Sequence, residues 1–215
     1  MIHIRINDGV AEVEFQENGV STIKTIGGTA LIQAFLKATR KELDKATLTT
    51  PILPPGTIAY QEVDDESYEI FMNVPAHREP ILYFENTPYE NVGVPNCIFR
   101  LRVREKKVIW VHVWCLPAKT IITPETHLYH WPFYNADYTG YMCLGTTNRL
   151  EVEEPWQLFR WPGYFFSQSM SSHGTPTNNS GLEGRSMMQA LSGRDFPDEW
   201  LTPMNRTLRS EIHRN

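Results

Sequence analysis

Pro132-Phe-Tyr-Asn135-Ala-Asp-Tyr-Thr-Gly140-Tyr-Met-Cys143-Leu144 is the stretch on which the reading of this chain turns. A turn-forming Asn is followed five residues later by Gly and three after that by Cys, with neither the period of a helix nor the alternation of a strand. The spacing predicts ordered coil, with the thiol presented at a bend and Gly140 supplying a positive φ beside it. Cysteine is both nucleophilic and a good leaving group, so Cys143 is the candidate nucleophile of the segment. A thiol of ordinary pKa, about 8.5, is only a few per cent thiolate near neutrality, so a neighbouring cation or base would help; Arg149, Arg160 and His173 are available. Asn135 has two readings. Its amide N–H can serve the oxyanion that develops on the acyl carbon, worth on the order of 3 kcal/mol in comparable holes, or its side chain can bond the backbone and fix the loop. Tyr129, Trp131, Tyr134, Tyr138 and Tyr141 are read as packing and wall residues.

Working outward, the first 25 residues alternate apolar and polar positions and are broken by Asn7-Asp8-Gly9 and Asn18-Gly19, predicting three short antiparallel strands. Ile32, Leu36, Thr39 and Leu43 recur at helical spacing, which predicts an amphipathic helix over Ala30 to Lys45 with one side on a sheet. Lys37, Arg40, Lys41 and Lys45 lie on its other faces. Pro51 to Gly56 marks a connection. Strands are expected over Tyr68 to Val74, Ile81 to Phe84, Cys97 to Val103 and Val108 to Cys115, the last two as a hairpin across Arg104 to Lys107. Glu85 to Asn96, with two prolines and a Gly, is expected to be a loop, and Ser167 to Gly181 a flexible one. Helices are expected over Leu182 to Leu191 and Pro203 to Arg214.

At 215 residues with 41% hydrophobic content, the chain is long enough for one well-buried core plus extensions but not for two comfortable domains. A net charge of −5 without a Lys/Arg block argues against a broad nucleic-acid footprint. Arg100, Arg102, Arg104, Lys106 and Lys107 read as a solvated strand face. The opening residues lack the form of a signal peptide, and no apolar run approaches a membrane span, so a soluble cytoplasmic protein is expected. Cys97, Cys115 and Cys143 are too widely spaced for a disulfide framework or a zinc ribbon, and reduced thiols are expected. His127 and His130, with Cys143 and His173, offer zinc four nitrogen or sulfur ligands as an alternative at loose spacing.

Asn135, Gly140, Cys143 and Leu144 match, in type and spacing, the skeleton around the catalytic cysteine of ubiquitin-conjugating enzymes; that family's upstream His falls on Phe133. With Val94-Pro95-Asn96, Leu128-Tyr129, Pro132, Gly145, Trp161, Phe165-Phe166-Ser167 and His173, the chain resembles PRTRC system protein B, the prokaryotic ubiquitin-conjugating-enzyme-like family D. The resemblance runs from about the first helix to His173. It implies an α+β, ubiquitin-conjugating-enzyme-like fold: helix, four-stranded antiparallel meander, active-site coil and C-terminal helices. Residues 1–26 would be an N-terminal β extension, 27–201 the conjugating-type domain and 202–215 a C-terminal tail or helix. The implied catalytic set is Cys143, Asn135 and, in place of the missing upstream His, His173; Pro132, Gly140 and Leu144 shape the active-site loop. The implied activity is transfer of a ubiquitin-like protein, received from a ThiF-type adenylating enzyme and passed on from a Cys143 thioester, with no cofactor. A JAB-class protease that reverses the modification and a plasmid or mobile-element gene cluster are implied as well. In ubiquitin-conjugating folds the first helix commonly docks the activating enzyme, which points to Lys37 and Lys41. The alternative is a non-catalytic scaffold of the same fold that binds a ubiquitin-like protein or its activating enzyme.

Overall fold

The computed structural model describes residues 2–7, 10–17, 20–43, 50–64, 66–84, 86–144 and 150–213. The turn residues Asp8, Gly9, Asn18 and Gly19, together with Lys45, Gly145 and Arg149, lie outside the described residues. The chain divides into two compact units, residues 1–50 and 51–215, and its architecture is α+β with antiparallel sheet dominant.

The first unit is a three-stranded sheet, β1 (Ile2–Asn7), β2 (Val10–Glu17) and β3 (Val20–Gly27), paired antiparallel in that order. Helix α1 (Gly28–Leu43) follows, and its Leu31 is buried with Ala11 and Val13 of β2. The helix is present, and at its start Leu31 rather than the expected Ile32 faces the sheet; the side chains of Leu36, Thr39 and Leu43 lie outside the described residues. Ile32 is 61% exposed while Leu31 is 8% exposed. Lys37 is exposed, and the side chain of Lys41 lies outside the described residues.

The second unit is built on a six-stranded antiparallel sheet, ordered β11-β10-β9-β8-β5-β4. Its strands are β4 (Thr57–Asp64), β5 (Ser67–Val74), β8 (Asn96–Arg104), β9 (Lys107–Leu116), β10 (His127–Tyr129) and β11 (Pro203–Thr207). Between β5 and β8 the chain leaves the sheet to form a separate hairpin of β6 (His77–Tyr83) and β7 (Thr87–Val94). Two expectations change here. Ile81 to Phe84 is not a rung of the meander, and Glu85 to Asn96 is largely a strand. Pro80 sits at a register shift in β6 and Pro88 is near the start of β7. A two-stranded ribbon tolerates prolines that a central strand would not.

Side chains alternate across the β8–β9 pair as a pleat requires. Cys97, Phe99 and Leu101 of β8, with Val111, Val113 and Cys115 of β9, face the main core, which also takes Trp161, Phe165 and Phe166 of α2 (Trp161–Phe166) and Met187, Met188 and Leu191 of α3 (Gly184–Leu191). Burying each such large side chain contributes about 1.5–3 kcal/mol. Ile98 and Trp114 face the other way, into a smaller cluster with Phe71, Leu128, Met204 and Leu208. The last of these begins α4 (Leu208–Ile212), so the expected helix over Pro203 to Arg214 is instead a strand followed by a short helix.

Of the basic run from Arg100 to Lys107, Arg104, Lys106 and Lys107 are exposed as expected, whereas Arg100 is drawn inward. Arg100 lies 2.6 Å from the buried carboxylate of Glu69 and Arg102 lies 2.8 Å from it, while Lys107 pairs with Glu151 at 3.4 Å and Lys106 with Glu153. Arg100 is only 6% exposed, so that part of the strand is not a solvated face. Among the described residues no helix is long and apolar enough to cross a membrane.

Candidate functional site

The segment around Cys143 occupies an edge that the sheet leaves open. β10 pairs with β9 only through Tyr129 and Cys115, so the rest of β9 has backbone groups to satisfy. Residues 140–142 meet part of that need. Val113 N donates to Gly140 O at 2.9 Å and Met142 N donates to Val111 O at 3.0 Å. The bend that brings them there is tied by Asp137, whose Oδ1 accepts from Thr139 N (2.7 Å), Thr139 Oγ1 (2.6 Å) and Tyr141 N (3.0 Å). Burial pushes the Asp137 carboxyl pKa up, but the hydrogen bonds from Thr139 and Tyr141, with His112 nearby, outweigh it and the net shift is down. Gly140 sits at φ +89°, and a Cβ there would lie 2.4 Å from Val113 O and 3.0 Å from Trp114 Nε1. The expectation of a positive φ at Gly140 is met.

Asn135 is the hub of the segment. Its backbone is left-handed, φ +69°, a conformation that Asn tolerates better than other non-glycine residues. Its N–H donates to His173 O at 2.7 Å, and its carbonyl accepts from Cys143 N at 2.9 Å. Its side-chain Oδ1 accepts from both the backbone N–H and the hydroxyl of Ser171, at 3.0 and 2.9 Å. An N–H can only donate, so the atom facing Ser171 must be the oxygen. The other end of the amide, Nδ2, is therefore its donor end.

The segment from Ser171 to Thr175 is held against 135–136 rather than free. Thr175 N donates to Ala136 O at 3.0 Å, and Gly174, at φ +94°, would bring a Cβ within 2.3 Å of Ala136 O. The flexible loop expected over Ser167 to Gly181 is in this part a hydrogen-bonded wall.

Asn135, Cys143, Leu144 and His173 line one cavity of about 480 Å³. Trp161, Tyr164 and Phe165 of α2, with Leu82 from β6, form its apolar side, and Ser167 to Ser169 with Ser171 its polar side. Cys143 is exposed, while Cys97 and Cys115 are buried cross-strand partners on β8 and β9. Burial pushes the Cys115 thiol well up, and its hydrogen bond with Cys97 adds to the effect, which makes Cys115 a poor nucleophile. Of the five aromatics expected as packing and wall residues, Tyr129, Trp131 and Tyr134 pack on the main core, and none of the five lines the cavity. Trp131 is buried against Phe133 and Phe165. Pro132 is buried beside it and Leu144 is half-buried. The Arg160 guanidinium bonds the carbonyls of Glu151 (2.9 Å) and Gln157 (3.3 Å) and is not among the lining residues.

The zinc set is not assembled. His127 pairs across to Thr207 and the backbone of His130 to Thr202, while Cys143 and His173 line the cavity without them. Among the described residues no three metal-ligating side chains of His, Cys, Asp or Glu are grouped. Desolvation lowers the His130 pKa. Sequence reasoning missed Ser171 and the aromatic wall of α2. The Asn135–Ser171 contact, across 36 residues, marks out this serine, and a sequence pattern does not show it.

No curated protein and no solved structure matches the chain. A family model described as prokaryotic E2 family D matches residues 30–204. The span runs from α1 through the cavity-lining segments to β11 and covers most of the chain: this protein belongs to prokaryotic E2 family D.

Proposed function

We propose that the protein is a carrier of a ubiquitin-like protein, which it holds as a thioester on Cys143 and passes to an acceptor. The observation that carries this reading is the cavity shared by an exposed Cys143, His173 and an Asn135 amide whose oxygen is already engaged. In the loading step Cys143 Sγ attacks the C-terminal acyl carbon carried by a ThiF-type adenylating enzyme. The thiol proton passes to solvent, a new carbon–sulfur bond forms, the bond to the donor breaks, and the donor leaves with the electron pair. Asn135 Nδ2 donates to the oxyanion. In discharge an acceptor amine attacks the same carbon, Cys143 leaves as thiolate, and His173 takes the amine's proton.

On this reading the fold is of ubiquitin-conjugating type with an N-terminal β extension over 1–26, the functional domain spans 27–201, and 202–215 is a C-terminal segment, carrying β11 and α4. The match beginning at residue 30 supports counting α1 with that domain. Lys37 and Lys41 on α1 are the docking residues for the activating enzyme, a JAB-class protease reverses the modification, and the PRTRC gene cluster and the cytoplasm are the setting. The test is reconstitution with the cognate activating enzyme, ATP and ubiquitin-like protein. Wild type should form an adduct that thiol reductant removes and Cys143→Ala none, while Cys97→Ser and Cys115→Ser that remain folded load normally. A folded wild type that binds the partner without forming an adduct is a scaffold and overturns the carrier reading.

A further inference from the structure

We infer that Ser171 is a positioning residue that sets Asn135 and His173 together; the inference rests on the carrier reading of the cavity. Ser171 supplies two of the hydrogen bonds that fix the site. Its N–H and its hydroxyl both reach Asn135 Oδ1, at 3.0 and 2.9 Å. The same hydroxyl oxygen accepts the backbone N–H of His173 at 3.3 Å. His173 in turn returns its carbonyl to the Asn135 N–H at 2.7 Å. The hydroxyl donates once and accepts once, which uses both kinds of its hydrogen-bonding capacity at one joint.

The consequence is directional. An Asn side chain has two nearly isosteric ends, and a rotation of its amide by 180° would present a carbonyl oxygen, repulsive to an oxyanion, instead of the N–H that stabilises it. Two donors from one serine exclude the flipped orientation, so the amide is aimed before the acyl group arrives. Such preorganisation makes a donor effective in a transition state, because nothing has to reorient at the moment of reaction. Ser171 thus acts through Asn135. Its hydroxyl contact with the His173 backbone also keeps the proton acceptor in register with the donor.

The experiment uses the full chain, charged with its ubiquitin-like protein and chased with an amine. Ser171→Ala removes the hydroxyl and keeps the N–H; Ser171→Thr restores a hydroxyl. Ser171→Ala should slow discharge about fivefold, the effect of one hydrogen bond of ordinary worth, at unchanged melting temperature, and Ser171→Thr should recover most of the rate. In an Asn135→Ala background the serine substitution should cost clearly less than it does alone, because the part of its action that passes through that amide is already lost. In parallel, the Asn135 side-chain amide signals in a ¹⁵N spectrum should shift and broaden in Ser171→Ala, a readout that needs no activity. Discharge equal to wild type, or an undiminished serine effect without Asn135, overturns the inference and leaves the carrier reading standing. If wild type forms no adduct, the carrier reading falls and the positioning role with it, whereas the amide signals still report whether Ser171 orients Asn135. A Ser171→Ala protein that melts early and is equally slow in the Asn135→Ala background makes the serine a fold residue and overturns the inference as well.

Discussion

Gly140→Ala tests the turn that delivers Cys143. The added Cβ would lie 2.4 Å from Val113 O and 3.0 Å from Trp114 Nε1, on a backbone at φ +89°. Holding a non-glycine residue in that region costs roughly 1–3 kcal/mol. Contacts under 3 Å with backbone cannot be accommodated in place, so residue 140 must also move off β9. Moving it gives up the 2.9 Å bond from Val113 N, worth about 1 kcal/mol. The total is about 2–4 kcal/mol, a large part of the roughly 5–15 kcal/mol that a domain has in reserve. Urea unfolding should show a lower midpoint at unchanged slope. Loading of Cys143 should fall in the protein that stays folded, because the 2.9 Å bond from Cys143 N to Asn135 O depends on the same bend. Gly163 in α2 is the control: a Cβ there meets nothing within 4 Å, so Gly163→Ala should be neutral or stabilising by up to about 1 kcal/mol. A Gly140→Ala change below about 0.5 kcal/mol, within the range of unremarkable surface substitutions, with normal loading, would refute the reasoning.

Asn135→Ala should slow discharge of a preformed thioester by tenfold or more, in line with the roughly 2.7–4 kcal/mol supplied by single oxyanion donors; an unchanged rate in folded protein makes the residue purely structural. For Asp137 the folded pKa lies below the unfolded one, so its contribution is present above the unfolded value, about 3.9, and is lost as pH falls through the folded pKa. Comparing Asp137→Ala with wild type by urea unfolding, the stability gap should be full at pH 7 and narrow below about pH 4; a gap that widens with acid contradicts the assignment. Iodoacetamide should label Cys143 in native protein and reach Cys97 and Cys115 only after unfolding, which mass spectrometry reads directly.

Much of the site was legible because its signals are local. Asn135, Gly140 and Cys143 lie within nine residues, and the turn they describe follows from the φ values each residue type tolerates. The β8–β9 hairpin was equally legible, since alternation on both sides of a short polar turn specifies the pairing. The rest depends on distant partners. β7 carries Pro88, Asn91 at φ +52° and Gly93, so its own composition reads as loop, and only pairing with β6 makes it a strand. Ile32 and Leu31 both fit a helical stripe, and which one turns inward is decided by Ala11 and Val13 on β2. Ser171 sits in a polar run that reads as flexible; what orders it is the Asn135 carboxamide, 36 residues earlier.

The central claim is that an acyl bond forms on Cys143 and nowhere else. Intact-mass analysis of the protein after incubation with its activating enzyme, ATP and ubiquitin-like partner, followed by peptide mapping under non-reducing conditions, measures this directly. The account predicts one added partner less one water, located on the peptide carrying Cys143 and released by thiol, and with Cys143→Ser either no adduct or an ester that resists thiol. A thiol-sensitive adduct that persists in Cys143→Ser, or one that maps to a lysine or to Cys97 or Cys115, would contradict it.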